Sequence, residues 1–214
     1  MRRTGRWRGG GGAGMGDVTG TDAKEAEAAG NDMGPEGPEG PERSEAPHAV
    51  GGLPVEVRQV ARVVLLAPDN RVLLLHGYEP SDPTRTWWFT PGGGLEGEES
   101  REEAAHRELA EETGIADVQL GPLLWKRRCS FTFDGRRWEQ DEWYYLARTD
   151  RTATEMSGQT DLERRSVSGL RWWTLEDLST SHETVYPTGF VELLGRLLDE
   201  GPPDAPVLLA TESV

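Results

Sequence analysis

Short apolar runs alternate with turn residues from about Leu53 onward, and this pattern predicts a series of β-strands. The run at 57–66 is followed by the turn residues 68–70 and then by a second run at 71–75. Regular spacing of such runs is typical of a sheet. The predicted strands are 57–66, 71–75, 87–89, 118–125, 128–133, 138–147 and 170–173.

Helices are predicted between and after these strands. The central helix begins near Ser100, because Ser100 and Glu103 have the spacing of a capping box, and it ends at Gly114, where a left-handed residue closes a helix at little cost. A short helix is predicted over 174–178, and an amphipathic helix over 188–199. Strands that are split by one loop-helix-loop and closed by a C-terminal helix predict an α/β fold, an α/β/α sandwich with a mixed sheet.

The first fifty residues have a different composition from the rest of the chain. They contain 12 of the 27 glycines and a single aromatic residue, Trp7. Such a segment cannot bury enough apolar surface to offset the chain entropy lost on folding. We therefore expect a disordered tail rich in Gly, Pro and Glu over 1–52, a compact domain over 53–202 and a short C-terminal tail over 203–214.

Charge and cysteine content narrow the functional class. The net charge is −15, from 23 basic and 38 acidic residues, which disfavours binding to a nucleic acid polymer or an anionic membrane. The one cysteine, Cys129, cannot form an internal disulfide, so a reducing compartment, the cytoplasm, is expected. No sequence segment approaches the roughly 18 apolar residues of a membrane span.

The predicted central helix carries a cluster of acidic residues. At about 100° per residue, Glu108, Glu111 and Glu112 share one face of the helix. Like charges at this spacing destabilise a bare helix by roughly a few tenths of a kcal/mol per pair, so the cluster indicates either a solvated acidic face or a cation site. Three oxygen donors without a nearby His or Cys suit Mg²⁺, or Mn²⁺, better than Zn²⁺.

The spacing of the whole segment from Gly93 to Ile115 discriminates between these two interpretations. Gly93 is followed by five residues, Glu99, seven residues and then the run RELAEETGI at 107–115. This matches the Nudix box, G-x5-E-x7-R-E-U-x-E-E-x-G-U with U aliphatic, at every constrained position. The chain therefore resembles the Nudix hydrolases, enzymes that cleave nucleoside diphosphates linked to another moiety, over about residues 55–200.

The resemblance implies a fold and a set of roles. The fold is the Nudix α/β/α sandwich with its catalytic loop-helix-loop. Glu108, Glu111 and Glu112 would bind divalent ions, and the carbonyl group of Gly92 would supply a further oxygen ligand. Glu99 and Arg107 would form an ion pair that supports the site.

The carboxylate that accepts the proton of the attacking water is left open by the sequence. Glu111 and Glu112 could act from the helix, and Glu142 could act from a neighbouring strand. For Glu142, a solvent-facing strand residue is an equally good interpretation.

Substrate selection lies outside the box. Any of several aromatic side chains could stack on a nucleobase, although most aromatic residues in strands belong to the core: Trp87, Trp88, Trp125, Trp138, Trp143, Tyr144 and Tyr145. The basic residues 126–128 and 136–137 could reach phosphates, and the polar segment 149–168 could form a loop over the site.

Two functions follow as expectations. The first is a divalent-metal-dependent hydrolase that cleaves the diphosphate linkage of a nucleoside triphosphate, ADP-ribose or a similar small nucleotide. The alternative is a non-catalytic domain that senses nucleotides and regulates a partner. Many members of the family are dimers, but no patch in this sequence identifies a homodimer interface.

Overall fold

The computed structural model describes residues 57–156, 158 and 161–213, so the tail expected over 1–52 lies outside the described residues. Within those ranges the strands are β1 (Val57–Leu66), β2 (Val72–Glu79), β3 (Asp82–Phe89), β4 (Gly92–Gly94), β5 (Leu120–Phe133), β6 (Arg136–Arg148), β7 (Val167–Trp173), β8 (Val207–Leu208) and β9 (Glu212–Ser213). The helices are α1 (Arg101–Thr113), α2 (Asp161–Arg164), α3 (Leu175–Thr180) and α4 (Phe190–Glu200).

The strands form one mixed sheet in the order β3-β2-β1-β6-β5-β8, with β4 beside β1, β7 beside β2 and β9 beside β5. The central pair, β1 and β6, is parallel. The hairpin of β5 and β6 is antiparallel, as are the pairs that β2 makes with β3 and β7. The predicted mixed sheet is therefore confirmed.

Helices cover both faces of this sheet because side chains alternate along each strand. Ala61, Val63 and Leu65 of β1 belong to a buried cluster with Leu109 of α1. Val64 and Leu66 belong to a second buried cluster on the other face, which contains apolar residues of α3 and α4. The α/β/α sandwich is thus confirmed.

Helix α1 has the ends that the sequence predicts. The hydroxyl group of Ser100 accepts a hydrogen bond from the backbone N–H of Glu103, and the Glu103 carboxylate accepts one from the backbone N–H of Ser100, which completes the capping box. Gly114 ends the helix in the left-handed conformation, with φ 71°. Local chemistry alone therefore sets the boundaries of the element that carries the acidic residues.

The structure differs from the sequence-based expectation along β5. The two strands predicted over 118–125 and 128–133 are one strand, Leu120–Phe133, with pairing irregularities near Leu123. The expected gap at residues 126–127 is absent, because Arg127 is buried and paired with carboxylates and the strand continues through it.

The segment expected as a C-terminal tail lies along the same strand. Val207 pairs with Trp125, and Glu212 pairs with Cys129, both in parallel register. Glu212 is thereby brought close to the buried Arg127. In the described part of the chain, no helix is both long and apolar enough to cross a membrane.

Candidate active site

A cavity of about 240 Å³ lies where α1 and β4 meet the surface formed by β1, β5 and β6. Three groups of lining residues are distinguished below. The helix wall consists of Gly92, Gly93, Glu108 and Glu112. The strand wall consists of Arg62, Arg127, Cys129, Gln140 and Glu142. The aromatic rim consists of Trp87, Phe89, Phe131, Phe133 and Trp138.

Glycines in β4 allow α1 to present its carboxylates to the cavity. A Cβ atom on Gly93 would lie 2.2 Å from Oε1 of Glu108, and a Cβ atom on Gly92 would lie 2.1 Å from the carbonyl oxygen of Ala61. Gly92 also has φ +130°, a conformation that L side chains rarely adopt. The backbone of β4 can therefore separate Glu108 from β1 without side chains in the way.

Arg107 holds the loop before α1 against the helix. Its guanidinium donates to both carboxylate oxygens of Glu99, at 2.7 and 3.1 Å, and to the carbonyl oxygen of Gly94 at 3.0 Å. Hydrogen bonding to Arg107 lowers the pKa of Glu99, although partial burial acts in the opposite direction. The structure thus contains the ion pair expected between these two residues.

Arg107 also contacts two of the three box glutamates. Its Nη1 atom lies 3.0 Å from Oε1 of Glu108 and 3.2 Å from Oε2 of Glu111. Glu108 and Glu112 are 6% and 3% exposed and line the cavity, whereas the side chain of Glu111 is 42% exposed. Two of the predicted carboxylates therefore face the cavity, and the third lies at the solvent edge.

Two oxygen atoms of the helix wall accept hydrogen bonds from N–H groups. Oε2 of Glu112 accepts a hydrogen bond from the backbone N–H of Gly92 at 2.7 Å. The carbonyl oxygen of Gly92 accepts one from Nη1 of Arg62 at 2.6 Å. In residues 57–156, 158 and 161–213, no three His, Cys, Asp or Glu side chains converge closely enough to enclose a metal ion. Even so, carboxylate and carbonyl oxygens around a gap kept clear by glycine fit the preference of Mg²⁺ or Mn²⁺.

Glu142 lies at the centre of the strand wall. One carboxylate oxygen contacts Nη2 of Arg62 at 3.2 Å, and the other contacts Nη2 of Arg127 at 2.6 Å. The hydroxyl group of Tyr144 donates to the second oxygen at 2.5 Å. The residue is 2% exposed, so the interpretation of Glu142 as a solvent-facing residue is wrong.

This arrangement determines the protonation state of Glu142. Burial by itself raises the pKa of a carboxyl group, but attraction to Arg62 and Arg127 outweighs burial here, and the pKa of Glu142 lies below its ordinary value. The neighbouring Cys129 thiol has the opposite balance, since burial and the Glu142 charge raise its pKa to about 12. Glu142 is therefore a carboxylate, and Cys129 a protonated thiol.

Comparison with known proteins identifies the family. A family model, the NUDIX domain, matches residues 57–203. The chain belongs to the NUDIX family. A putative mutator protein MutT4 of Mycobacterium tuberculosis is 30% identical over 129 residues, which cover 58% of this chain and 48% of that protein. An RNA pyrophosphohydrolase of Caulobacter vibrioides is 47% identical over 58 residues, 27% of this chain and 33% of the relative.

The chain thus spans between a third and a half of the length of these relatives. Among solved structures, a MutT protein from Methanosarcina mazei Go1 superposes with a TM-score of 0.52 at 20% identity, covering 70% of this chain and 98% of that one. At this level of identity, the structural likeness supports the NUDIX fold.

The rim of this NUDIX protein uses some of the aromatic residues singled out in the sequence. Trp87, Trp138 and Tyr144 line the cavity. Trp125 and Tyr145 are buried in the two hydrophobic clusters, Trp88 packs against the first of them, and Trp143 lies 3.8 Å beneath the guanidinium of Arg101. Sequence reasoning did not single out four further lining residues, Phe89, Phe131, Phe133 and Tyr186.

Basic residues also line the NUDIX cavity. Sequence reasoning placed Arg127 among possible phosphate contacts but did not anticipate that it would be buried. It also overlooked Arg58, Arg62 and Arg85. Together these four arginines outnumber the three lining glutamates, Glu108, Glu112 and Glu142. The cavity can therefore accept an anion although the whole chain carries a charge of −15.

The described part of the polar segment 149–168 lies against the C-terminal end of α1. The backbone N–H groups of Glu155 and Gly158 donate to the carbonyl oxygens of Thr113 and Glu111, at 2.9 and 3.1 Å. Ser166, near the end of this segment, lines the cavity. The described residues of this segment therefore include contacts to α1 near Glu111 and part of the cavity lining.

Proposed function

We propose that this protein is a divalent-metal-dependent hydrolase that cleaves the diphosphate linkage of a small nucleoside diphosphate derivative. The observation that supports this most directly is that two kinds of charged group line one cavity. Glu108 and Glu112 lie on the helix wall, and Arg62 and Arg127 lie on the strand wall. The same cavity thus offers oxygen ligands for a cation and cationic groups for a phosphate anion.

Glu108, Glu112 and the carbonyl oxygen of Gly92 would hold Mg²⁺ or Mn²⁺, with Glu111 at the solvent side. When bound, the metal neutralises phosphate charge and lowers the pKa of a coordinated water. Arg62 already donates to the Gly92 carbonyl group and to Glu142, so its guanidinium joins the helix wall to the strand wall. We assign Arg62 and Arg127 to orienting the phosphate groups.

Glu142 is then better suited to positioning these arginines than to accepting a proton. A carboxylate that is paired with two guanidinium groups, and whose pKa is lowered, is a weak base. We therefore propose Glu111 and Glu112 as the candidates for the general base. The ion pair between Arg107 and Glu99 would hold the loop before α1 in place against the helix.

The proposed substrate is a small nucleotide, such as a nucleoside triphosphate or ADP-ribose, rather than a nucleic acid polymer. The aromatic rim offers flat apolar surfaces for a base, and the net charge of −15 opposes binding of a long polyanion. The proposed compartment is the cytoplasm, because the single cysteine is a buried free thiol.

The test is a turnover assay on the purified protein. Nucleoside triphosphates, oxidised nucleoside triphosphates, ADP-ribose, dinucleoside polyphosphates and nucleotide sugars are incubated with Mg²⁺ or Mn²⁺, and release of phosphate or pyrophosphate is measured. We expect turnover of at least one class, its loss in chelator, and its loss in Glu112→Gln. The matched control is Glu200→Gln, an exposed position at the end of α4. Nucleotide-dependent thermal stabilisation without turnover of any class would instead favour the sensing domain.

A further inference from the structure

One residue that lines the cavity has a buried polar atom without a partner in the protein. Gln140 is 4% exposed and lines the cavity, yet its Oε1 atom accepts no hydrogen bond. Within the described ranges, three other buried side-chain atoms are also unpartnered, and they belong to Trp88, Trp173 and Arg101, none of which lines the cavity. A buried acceptor without a donor destabilises a fold, and a hydrogen-bond donor on a ligand would satisfy Gln140.

The position of Gln140 along β6 indicates which part of a ligand it meets. Trp138, Gln140 and Glu142 alternate on one face of the strand and line the same cavity. Neighbours on one face of a strand are about 6–7 Å apart. Gln140 therefore lies between the ion pairs of Glu142 and the aromatic rim. A nucleotide that places its phosphates near Arg62 and Arg127 extends past Gln140 toward the rim.

The rim is built to receive a flat ring. Trp87 and Phe133 meet edge to face, with ring centroids 6.0 Å apart. The guanidinium of Arg58 lies 5.8 Å from the centroid of Trp138. A Cβ atom on Gly77 would lie 2.9 Å from the indole nitrogen of Trp87, so the missing side chain lets this ring pack against β2. A base stacked on Trp138 would lie next to Gln140, because the two residues are neighbours on one face of β6.

We propose that Gln140 is a specificity-determining residue whose amide oxygen accepts a hydrogen bond from the exocyclic amino group of a nucleobase. Adenine and cytosine carry such a group, whereas hypoxanthine and uracil carry a carbonyl oxygen at the same position. The carbonyl oxygen of hypoxanthine or uracil cannot donate a hydrogen bond to Gln140 Oε1. The two oxygens would also repel each other, because both carry a negative partial charge. This inference rests on the proposed nucleotide-binding function of the cavity.

The test compares binding of nucleotide pairs to the whole protein. Titration calorimetry in Mg²⁺ with adenosine and inosine diphosphates, and with cytidine and uridine diphosphates, should show tighter binding of the amino-bearing member by about tenfold. Gln140→Leu should reduce the ratio within each pair to less than about twofold, because Leu removes the acceptor at similar size. Gln59→Leu, in β1 with its amide bonded to Arg101 rather than facing the cavity, is the matched control and should keep the wild-type ratio.

Three results would overturn this assignment. The first is equal affinity within both pairs for the wild-type protein, and the second is an affinity ratio that persists in Gln140→Leu. The third is an effect of Gln140→Leu on affinity that disappears with 2′-deoxyadenosine diphosphate, because the contact would then belong to the ribose. Should Gln140→Leu fail to fold, Gln140→Met removes the same acceptor at similar size and should reduce the ratios in the same way. Because the readout is binding, it also separates this inference from the proposed hydrolysis. A protein that discriminates between the bases but turns over no nucleotide contradicts only the latter.

Discussion

The helix wall and the strand wall both carry buried carboxylates, but the chain builds the two walls in different ways. Glu108 and Glu112 come from one helix and meet Gly92 of the adjacent strand. Glu142 instead meets Arg62 from β1 and Arg127 from β5, and Arg127 meets Glu212 from β9. One wall is set by spacing along a short segment. The other is set by the register of strands that are far apart in sequence.

The carboxylates of the two walls also differ in how their charges are balanced. Glu142 is buried between two guanidinium groups, so its charge is balanced inside the protein. The charges of the box glutamates are crowded on one helix, and Glu111 reaches solvent. We infer that the strand-wall carboxylate contributes mainly to stability, whereas the box carboxylates contribute mainly to activity. The following substitutions test this contrast.

The largest effect on stability is expected for Glu142→Gln. Removing one charge from a buried ion pair leaves its partners uncompensated, and we expect the free energy of unfolding to fall by about 3–5 kcal/mol. Urea denaturation monitored by tryptophan fluorescence measures this. Glu212→Gln serves as a control of intermediate effect. The Glu212 side chain is 14% exposed and pairs with Arg127 but not with Arg62. Its substitution should therefore lower the free energy of unfolding by less. Equal stability of Glu142→Gln and wild type would refute the contrast.

For the Glu142→Gln variant we also predict how the loss of stability depends on pH. Because the folded-state pKa of Glu142 is lowered, its contribution to stability is fully present above the ordinary pKa of 4.5 and is lost as the pH falls through the folded-state value. The difference in unfolding free energy between wild type and Glu142→Gln should therefore be constant at neutral pH and shrink below about pH 4.5. Denaturation curves at a series of pH values provide the measurement.

The largest effect on activity is expected for Glu111→Gln and Glu112→Gln. Each should lower turnover by about 10²–10³-fold, the size typical of losing one preorganised electrostatic group. Each should change thermal stability in chelator only a little, because relief of repulsion on α1 is offset by the lost ion pair with Arg107 at Glu111 and by a weaker hydrogen bond from Gly92 at Glu112. Calorimetry in chelator and a turnover assay in Mg²⁺ test this, with the exposed Glu98→Gln as control. Variants that lose stability but keep activity would show that these glutamates are structural.

A smaller effect is expected for Arg107→Ala, which removes the contacts to Glu99, Gly94 and Glu111. We expect kcat/KM to fall by about 10–100-fold, the range for residues that orient a metal site, with divalent-ion affinity altered only moderately. Arg107→Lys should not restore activity, because one ammonium group cannot replace the paired guanidinium contacts. Wild-type kinetics in Arg107→Ala would leave Glu99 as an ordinary loop carboxylate.

The features that the sequence predicted are those set by local spacing. Ser100, Glu103 and Gly114 define the ends of α1 through contacts within a few residues, and the Glu99–Arg107 pair joins residues eight positions apart. The exposure of Glu111 depends on how α1 is rotated against β4, which spacing alone does not specify.

The strand wall escaped prediction because its contacts depend on register. The parallel pairing of β1 with β6 brings Arg62 near Glu142, 80 positions away. Arg127 was expected to be a possible phosphate contact, and its burial escaped prediction because its carboxylate partners come from β6 and β9. One signal was available in the sequence: Arg127, Cys129 and Phe131 alternate with the exposed Lys126 and Arg128, which is the period of a strand with one covered face.

The glycine strand β4 has a consequence for redesign. Since Gly92 and Gly93 contribute no side chains, Glu108 and Glu112 reach the cavity past a bare backbone. The rim residues Phe131, Phe133 and Trp138 lie at the far end of the β5–β6 hairpin, beyond the Cys129–Gln140 pair. Only that end of the hairpin, residues 131–138, can therefore be exchanged to recruit new ligands while Arg127 and Glu142 stay in place.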